Sequence, residues 1–218
     1  MCNVFFLSED IGKDKGKFLQ PLFYNSCKHI GRKVKTLCKS EFKKLIDYEL
    51  FGGKQVGLIA RIRRTYFQPN TNCMYLARKM WYHNDLAKKG GLFSVLHFLR
   101  AKFLYLHILK RYNCCIFMNA NIGRGFYIEH PVGIVIGRCE IGQNFHIYQN
   151  STIGVRRPLD DSKGLFPHIG DNVTIGCNCA VLGNVTIADN VIVGANSVVL
   201  NDLSESGTYV GAPARKVK

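Results

Sequence analysis

Residues 167–199 read PHIGDNVTIGCNCAVLGNVTIADNVIVGANSVV, and the pattern of this segment indicates the fold of the chain. An apolar residue recurs every six positions in it, and Gly, Ala, Asn and Asp predominate between. The recurring residues are Ile169, Ile175, Val181, Ile187, Val193 and Val199. A period of six fits neither the 3.6-residue helix nor the alternation of a simple strand. It is typical of a solenoid of hexapeptide repeats, in which three short strands make one triangular coil of about eighteen residues.

The same beat of six continues toward the amino terminus, with two interruptions. The upstream positions are Ile116, Ile122, Ile128, Val135, Ile141, Ile147 and Ile153. Pro131-Val132-Gly133 adds one residue to its repeat, and Val155–His168 is a long insertion. A regular solenoid must extrude an insertion of that length as a loop, and such loops commonly carry function.

Counting three repeats to the coil predicts which side chains share a face. The first face takes Ile128, Ile147, Ile175 and Val193, the second Val135, Ile153, Val181 and Val199, and the third Ile141, Ile169 and Ile187. Residues two positions beyond those of the first face should stack in adjacent coils, about 4.8 Å apart. These residues are His130, Gln149, Cys177 and Ala195.

The sequence predicts two regions. A basic α-helical region spans residues 1–113, and the solenoid with its C-terminal tail spans residues 114–218. Helices are predicted over Met74–Leu86 and Leu92–Tyr112. In the second helix an apolar stripe with helical spacing is expected to pack on a neighbouring element. The stripe comprises Leu96, Leu99, Phe103 and Leu106.

The charge of the chain is unevenly distributed. The formal net charge of the 218 residues is +15, and residues 1–113 carry 22 Lys/Arg against 7 Asp/Glu, whereas residues 114–218 carry 8 against 8. Such an asymmetry predicts either a basic face that meets an anionic partner, or a solvated helical surface with no partner. The candidate partners are an anionic membrane surface, an acidic or lipid-linked glycan, and nucleic acid. Because the basic half shows no base-reading motif, no nucleic acid is expected.

The sequence predicts a cytoplasmic protein, with peripheral contact at the inner membrane surface as a further hypothesis. Nine cysteines lie scattered without paired metal-ligand spacing, as reduced thiols of a cytosolic protein do. The start MCNVFFLSED lacks a basic lead and a long apolar run, so it is not expected to act as a secretory signal. Phe93–Leu109 is the most apolar stretch, but Arg100 and Lys102 interrupt it and it is too short to span a bilayer.

Several motifs identify a family resemblance that covers about half of the chain. GRGFYIEHPVGIVIG, residues 123–137, resembles the catalytic stretch of serine O-acetyltransferases, and QNSTIG, PHIGDNVTIG, VGANSVVL and GAPARKV continue the match. The resemblance implies an α+β protein, in which the N-terminal α-helical region precedes a left-handed parallel β-helix of hexapeptide repeats with one extruded loop. It also implies acetyl-CoA as co-substrate, no metal, and a homotrimer with the active site between neighbours.

The resemblance makes His130 the candidate general base. Imidazole suits the removal of a hydroxyl proton because its pKa lies near neutrality. Glu129 matches the acidic neighbour in the family, and it is predicted either to bind the acceptor or to influence the imidazole. The carboxylate that orients the base in the family lies fifteen residues upstream, where this chain has Cys115. The orienting partner is therefore left open, with a backbone carbonyl or Glu129 as alternatives.

A second departure from the family concerns the acceptor. The serine enzymes carry an Arg-His pair before the proline that ends the extruded loop, and this chain has Leu165 and Phe166 there. Because a guanidinium is the natural partner of a carboxylate, and Phe offers a surface for a sugar ring, we expect a sugar hydroxyl as the acceptor. The LFPHIG form, residues 165–170, also resembles the O-acetyltransferases of capsule, O-antigen or colanic-acid assembly. The predicted substrate is therefore a bacterial surface polysaccharide or its glycolipid precursor, and serine is the alternative. The candidate acceptor contacts are Tyr148, Gln149, Arg156, Arg157 and Phe166.

The acetyl-CoA site is predicted along the column of stacked residues. Small residues there let backbone amides approach an elongated pantetheine arm. The column residues are Gly176, Cys177, Gly194 and Ala195. The resemblance adds Gly154, and it adds Arg215 and Lys216 as phosphate contacts.

Two other classes of protein share a solenoid of this kind. A zinc hydratase of the γ-carbonic-anhydrase kind needs three converging histidines, and His130, His146 and His168 lack the required close pair. No metal site is therefore predicted. A non-catalytic binding or scaffold protein remains the alternative of another class, although His130, the loop and the GAPAR tail argue against it.

Overall fold

The computed structural model describes residues 37–157 and 165–218. The sequence-based interpretation of the first ten residues falls outside this range, as does half of the extruded loop, residues 158–164. The amino-terminal part of the described chain is helical. Its elements are α1 (Lys39–Phe51), α2 (Leu58–Ile62), a π-helical turn (Arg63–Phe67), α3 (Pro69–Lys88) and α4 (Ser94–Tyr112). Both predicted helices are present, and α3 begins earlier than predicted because Pro69 starts it, where its missing N–H costs nothing.

The face that α4 packs on α3 differs from the predicted one. Ala101, Leu104 and Ile108 are buried, whereas the predicted stripe from Leu96 to Leu106 is exposed. The packing prediction for that stripe is therefore wrong within the described chain. The helix carries two apolar stripes, and spacing alone does not tell which one meets a partner. The small Ala101 lets the α3 backbone approach closely on its side.

The rest of the described chain is a parallel β-solenoid of three sheets. The first sheet contains β1 (Cys115–Ile116), β4 (Val135–Ile136), β7 (Thr152–Gly154), β10 (Ala180–Leu182) and β13 (Val198–Val199). The second contains β2 (Asn121–Ile122), β5 (Glu140–Ile141), β8 (His168–Ile169) and β11 (Thr186–Ile187). The third contains β3 (Tyr127–Ile128), β6 (His146–Ile147), β9 (Thr174–Ile175), β12 (Val191–Val193), β14 (Gly207–Val210) and β15 (Arg215–Lys216). Only the β14–β15 pair is antiparallel among these strands.

The register confirms two predicted faces and corrects the other. Ile128, Ile147, Ile175 and Val193 pair in succession on the third sheet, and Ile141, Ile169 and Ile187 pair on the second. On the first sheet, the partner of Ile153 is the buried Ile136 and not Val135. Ile136 follows Ile128 by eight positions and precedes Ile141 by five. Relative to the regular spacing of six, the repeat that contains Pro131 is two residues longer and the next repeat is one residue shorter.

Asparagines line the corners at which the coil turns. Asn150, Asn178 and Asn196 have φ values of 58°, 57° and 60°, in the left-handed region that Asn tolerates better than most residues. The side chain of Asn178 donates to that of Asn196 at 3.2 Å, one coil further on. These stacked corners fix the geometry of the residues beside them, which include the predicted column.

A buried ion pair between α1 and α3 also binds the backbone of the solenoid. Arg78 of α3 and Glu49 of α1 form two contacts of 2.6 and 2.9 Å, and both side chains are nearly inaccessible to solvent. Arg78 also donates to the carbonyl oxygens of Ile122 and Gly123, and Glu49 accepts the backbone N–H of Gly125 at 2.8 Å. Because this turn leads directly into β3, the helices hold the strand that precedes His130.

Helices and solenoid also share one apolar core. Trp81 of α3 lies 5.9 Å from Phe126 between ring centroids, and Phe126 stacks in turn on Phe145 of the next coil. Among the helices described, none is long and apolar enough to cross a membrane.

Candidate active site

His130 lies on a bulge at a corner of the first complete coil. The backbone hydrogen bonds between adjacent coils continue to Glu129, whose N–H donates to the carbonyl oxygen of Ile147 at 3.1 Å. The N–H of Val132 then donates to the His130 carbonyl at 2.8 Å, which closes a tight turn around Pro131. Two extra residues therefore project from the corner, and the imidazole is exposed.

This bulge changes the predicted column. The N–H of Asn178 donates to the Gln149 carbonyl, and that of Asn196 donates to the Cys177 carbonyl, so Gln149, Cys177 and Ala195 occupy equivalent places. In the preceding coil the N–H of Asn150 donates to Val132 and not to His130. The prediction that His130 stacks in this column is wrong, because the two extra residues displace it outward.

The imidazole of His130 has no side-chain hydrogen bond or ion pair within residues 37–157 and 165–218. Cys115, which stands where the family has its orienting carboxylate, lies in β1 of the first sheet. Its Sγ is 3.4 Å from the Tyr105 hydroxyl. The backbone of the bulge is what positions His130 in this structure.

The Glu129 carboxylate is bound to a histidine of the next coil. Its Oε2 lies 3.2 Å from Nε2 of His146. The His146 ring lies between two tyrosines, edge-on to Tyr127 at 4.8 Å and stacked on Tyr148 at 4.9 Å. Asn70, at the start of α3, donates to the Tyr127 hydroxyl at 3.1 Å. These side chains form a polar and aromatic patch beside the His130 bulge.

Sequence reasoning considered His146 only as a zinc ligand and did not consider Tyr127 or Asn70. A usable signal was present, since the count of repeats places Tyr127 opposite His146 on neighbouring strands, as the register shows. The contribution of Asn70 depends on how the helices dock, which the repeat does not encode.

The column contains a polar atom without a partner. Oε1 of Gln149 is buried and accepts no hydrogen bond among the described residues. A buried carbonyl oxygen of this kind normally has a donor. An amide or hydroxyl of a bound molecule would satisfy it.

The glycines of the predicted cofactor site differ in what surrounds them. A Cβ at Gly176 would lie 2.7 Å from the backbone nitrogen of Ala195, and one at Gly194 would lie 2.7 Å from Cγ1 of Val210. Packing between coils and against β14 therefore requires these two glycines. A Cβ at Gly154 would meet no atom within 4 Å. The space beside Gly154 can thus admit a ligand.

The two predicted phosphate contacts lie in β15. Lys216 is bound to Glu205 at 2.6 Å, and this carboxylate raises the pKa of the ammonium. Arg215 is exposed and has no hydrogen-bond partner within the described part of the chain. The Arg215 guanidinium is therefore available to an anion.

The predicted acceptor contacts do not all converge. Tyr148 lies in the patch with Glu129, and Gln149 lies in the column. Arg156 donates to the carbonyls of Leu182 and Leu200, on the first-sheet side of the solenoid. Arg157 is exposed.

Phe166 is buried rather than presented to solvent. Its ring is 2% exposed, lies 4.7 Å from the Arg138 guanidinium, and contacts the ring of His168 at 5.0 Å. The side chain on which a sugar ring was expected to lie is therefore already covered within the protomer.

The histidines show no metal cluster within the described residues. His146 and His168 lie in different sheets, and no group of three metal-ligating side chains occurs there. Nδ1 of His168 lies 3.3 Å from Oε2 of Glu140, a close contact without hydrogen-bond geometry.

Comparisons with known proteins agree with the fold. The family model for the bacterial transferase hexapeptide (six repeats) matches residues 166–201. Serine acetyltransferase from Neisseria gonorrhoeae superposes with a TM-score of 0.65 at 26% identity, over 83% of this chain and 68% of that one. The soybean serine acetyltransferase apoenzyme gives 0.64 at 27% identity, over 82% and 69%. The solenoid therefore has the fold of these solved structures, a left-handed parallel β-helix of hexapeptide repeats.

Curated relatives bear on the acceptor. Serine acetyltransferase from Staphylococcus xylosus is 47% identical over 100 residues, and that from Bacillus subtilis is 41% identical over 100 residues. The match spans 45% of this chain and 45% of each relative, so about half of their length.

These findings overturn the predicted sugar acceptor. The relatives and the solved neighbours are named serine acetyltransferases, which favours the alternative that the sequence left open. The physical reason is the burial of Phe166 under Arg138, because a covered ring offers no face to a sugar. The prediction of polysaccharide modification is wrong.

Proposed function

We propose that the protein is an acetyl-CoA-dependent serine O-acetyltransferase, with His130 as the general base. The observation that carries the proposal is the two-residue bulge, which exposes the imidazole beside the carboxylate of Glu129. The likeness to serine acetyltransferases in sequence and fold supports the same acceptor.

The chemistry requires one proton acceptor and no covalent enzyme intermediate. His130 takes the proton from the serine hydroxyl as its oxygen attacks the thioester carbonyl carbon. The bond between that carbon and sulfur then breaks, and the departing CoA thiolate takes the proton back from the imidazolium. O-acetylserine and CoA leave, and the imidazole is neutral again.

Glu129 and Arg157 are the proposed contacts for the charged groups of serine. One oxygen of Glu129 is bound to His146, and the other offers negative charge to the ammonium beside the base. Arg157 is exposed at the start of the extruded loop, and we assign its guanidinium to the carboxylate of serine. We propose a homotrimer in which each site lies between neighbouring protomers.

Acetyl-CoA is proposed to lie along the column. The open side of Gly154 admits the thioester end, and Oε1 of Gln149 accepts a hydrogen bond from an amide of the pantetheine arm. Arg215 binds a phosphate group. A solved serine acetyltransferase in complex with CoA superposes with a TM-score of 0.60 at 25% identity, over 80% of this chain and 66% of that one, which supports such a site.

A cytoplasmic location is proposed together with this activity. All seven cysteines described, two of them adjacent at Cys114 and Cys115, are free thiols. Free thiols of this number are usual in a reducing compartment.

Release of CoA thiol measures the activity directly. With acetyl-CoA and serine, we expect thiol release that requires serine, with a hexose as the comparison acceptor. His130→Ala should lower the rate by about 10²–10⁴-fold, which is the usual contribution of a general base. His107→Ala, at an exposed histidine of α4, is the control and should match the wild type. Absence of serine-dependent release would leave the scaffold alternative, and an unimpaired His130→Ala would remove the base assignment.

A further inference from the structure

The exposed side of α4 is an apolar surface that no described element covers. Its stripe consists of Val95, Leu96, Leu99, Phe103 and Leu106, all exposed. Phe103 is 69% exposed and Leu99 is 57% exposed. The opposite side of the same helix packs on α3, so the helix is held in place while its stripe faces outward.

Basic side chains border this stripe. A helix turns 100° per residue, so Arg100 and Lys102 flank the stripe on opposite sides, with Lys110 and Arg111 at its C-terminal end. Residues 86–128, which include α4, contain seven Lys/Arg and no Asp or Glu. An apolar centre with a purely cationic border is typical of helices that lie in the interface of an anionic membrane, where long basic side chains reach the headgroups.

The positive charge around the stripe argues against two other partners that could cover it, a second copy of α4 and the amino-terminal residues. A second copy of this face around a two-fold axis would bring the cationic borders together, since no acidic residue lies on the helix to compensate. The amino-terminal residues 1–36 carry seven Lys/Arg against three Asp/Glu, so they are cationic as well. An anionic membrane complements both parts of this face, because its negative headgroups match the basic border and its apolar interior matches the stripe.

We propose that α4 lies on an anionic lipid bilayer, with its stripe from Val95 to Leu106 below the headgroups and Arg100 and Lys102 among them. The contact is peripheral, because no described helix can span the bilayer. It goes beyond the proposed activity, since the stripe is separate from His130 and acetyl transfer in solution does not depend on it.

Vesicle binding by the full chain tests this surface. We expect co-sedimentation with vesicles of phosphatidylglycerol and phosphatidylcholine, little binding to pure phosphatidylcholine, and weaker binding at high salt. The double variant Leu99→Asp/Phe103→Asp should reduce binding at least about tenfold, because it places charges in the apolar stripe. Acetyl transfer without vesicles should be unchanged, which separates this proposal from the proposed function. Val217→Asp, at another exposed apolar position, is the matched control and should bind like the wild type.

A fluorescence measurement reports insertion itself. The chain has one tryptophan, Trp81, which is buried in the core. In Phe103→Trp, anionic vesicles should shift the added emission to shorter wavelength, while the wild-type emission stays unchanged. The proposal is overturned if the wild type does not bind, if it binds neutral vesicles equally, or if the double Asp variant binds as the wild type does. It is also overturned if that variant only lowers the oligomeric state, because the occupant would then be a second copy.

Discussion

Glu129, directly after β3, and His146 of β6 are joined across neighbouring coils, with 3.2 Å between Oε2 and Nε2. Glu129 is adjacent to His130 in the chain, and the His146 ring lies between Tyr127, which is edge-on to it, and Tyr148, which stacks on it. His146 thus fixes the carboxylate that we assign to the ammonium of serine, although it touches no reacting atom. It is a positioning residue.

His146→Ala should raise the KM for serine and leave the KM for acetyl-CoA unchanged. Without the imidazole, Glu129 loses its fixed orientation, and the loss of one charge-assisted hydrogen bond corresponds to about 1.5–3 kcal/mol, or about 10- to 150-fold. His146→Gln should restore part of the loss, because its amide can donate to the carboxylate.

Thr174→Ala is the matched control for this variant, since Thr174 is the register partner of His146 on the other side. Its steady-state constants should equal those of the wild type. Equal KM values for serine in wild type and His146→Ala would contradict the positioning role.

Arg78→Leu should destabilise the fold by about 3–5 kcal/mol, the usual result of leaving one member of a buried ion pair without its partner. Glu49 would then be a buried carboxylate that only backbone N–H groups compensate. Unfolding by urea measures the change. Lys88→Leu, which breaks an exposed pair with Asp85 at 3.7 Å, should change the free energy of unfolding by no more than about 1 kcal/mol. A similar small effect for both variants would show that the helices dock without the Arg78 pair.

The six-residue period predicts the parts of this architecture that repeat regularly, and it does not predict where extra residues are inserted. The beat of six predicts three sheets and two of the three faces, because every inward position falls on the count. On the first sheet the count wrongly places Val135 inward. One repeat is two residues longer than six and the next is one residue shorter, so the sequence shows only a net insertion of one residue. For the same reason the sequence does not reveal that the bulge that exposes His130 contains two extra residues.

Candidate site residues could be predicted either from a local motif or from the period of the repeat. His130 and Glu129 come from a local motif, and Gln149 comes from the count of coils. The burial of Phe166 depends on Arg138, which is distant in sequence, so an aromatic residue at the end of a loop was misread as a binding surface. The packed face of α4 likewise depends on the shape of α3, which helical spacing does not specify.

The contact between α3 and α4 should weaken as the pH falls below about 6.5. Nδ1 of His83 lies 2.9 Å from Nδ1 of His97, and the rings stack at 5.1 Å. Burial lowers the pKa of His83 below its usual value of 6.5, and the neighbouring His97, Arg100 and Lys79 lower it further. The unfolded chain therefore binds a proton at higher pH than the folded one. Stability is fully present above pH 6.5 and is lost as the pH falls toward the folded pKa.

Thermal unfolding between pH 5 and 8 shows this dependence. The melting temperature of the wild type should fall on the acid side more steeply than that of His83→Gln, which removes the titrating group. His107→Gln, at an exposed histidine of the same helix pair, should follow the wild type. Parallel curves for wild type and His83→Gln would rule out the contribution of His83.

Gly154→Val should impair acetyl-CoA binding without destabilising the protein. A Cβ at Gly154, at the end of β7, meets no protein atom within 4 Å, and the backbone there does not have a positive φ, so a Cβ is accommodated without strain. It would fill the space that we assign to the thioester, and the KM for acetyl-CoA should rise at least about tenfold, a loss of 1.4 kcal/mol or more. Gly176→Val is the opposite case, because its Cβ would lie 2.7 Å from the Ala195 nitrogen and 2.9 Å from the Val193 carbonyl oxygen. That variant should lower the melting temperature, since the coils must separate to admit it. If Gly154→Val binds acetyl-CoA as the wild type does, the co-substrate lies elsewhere on the solenoid.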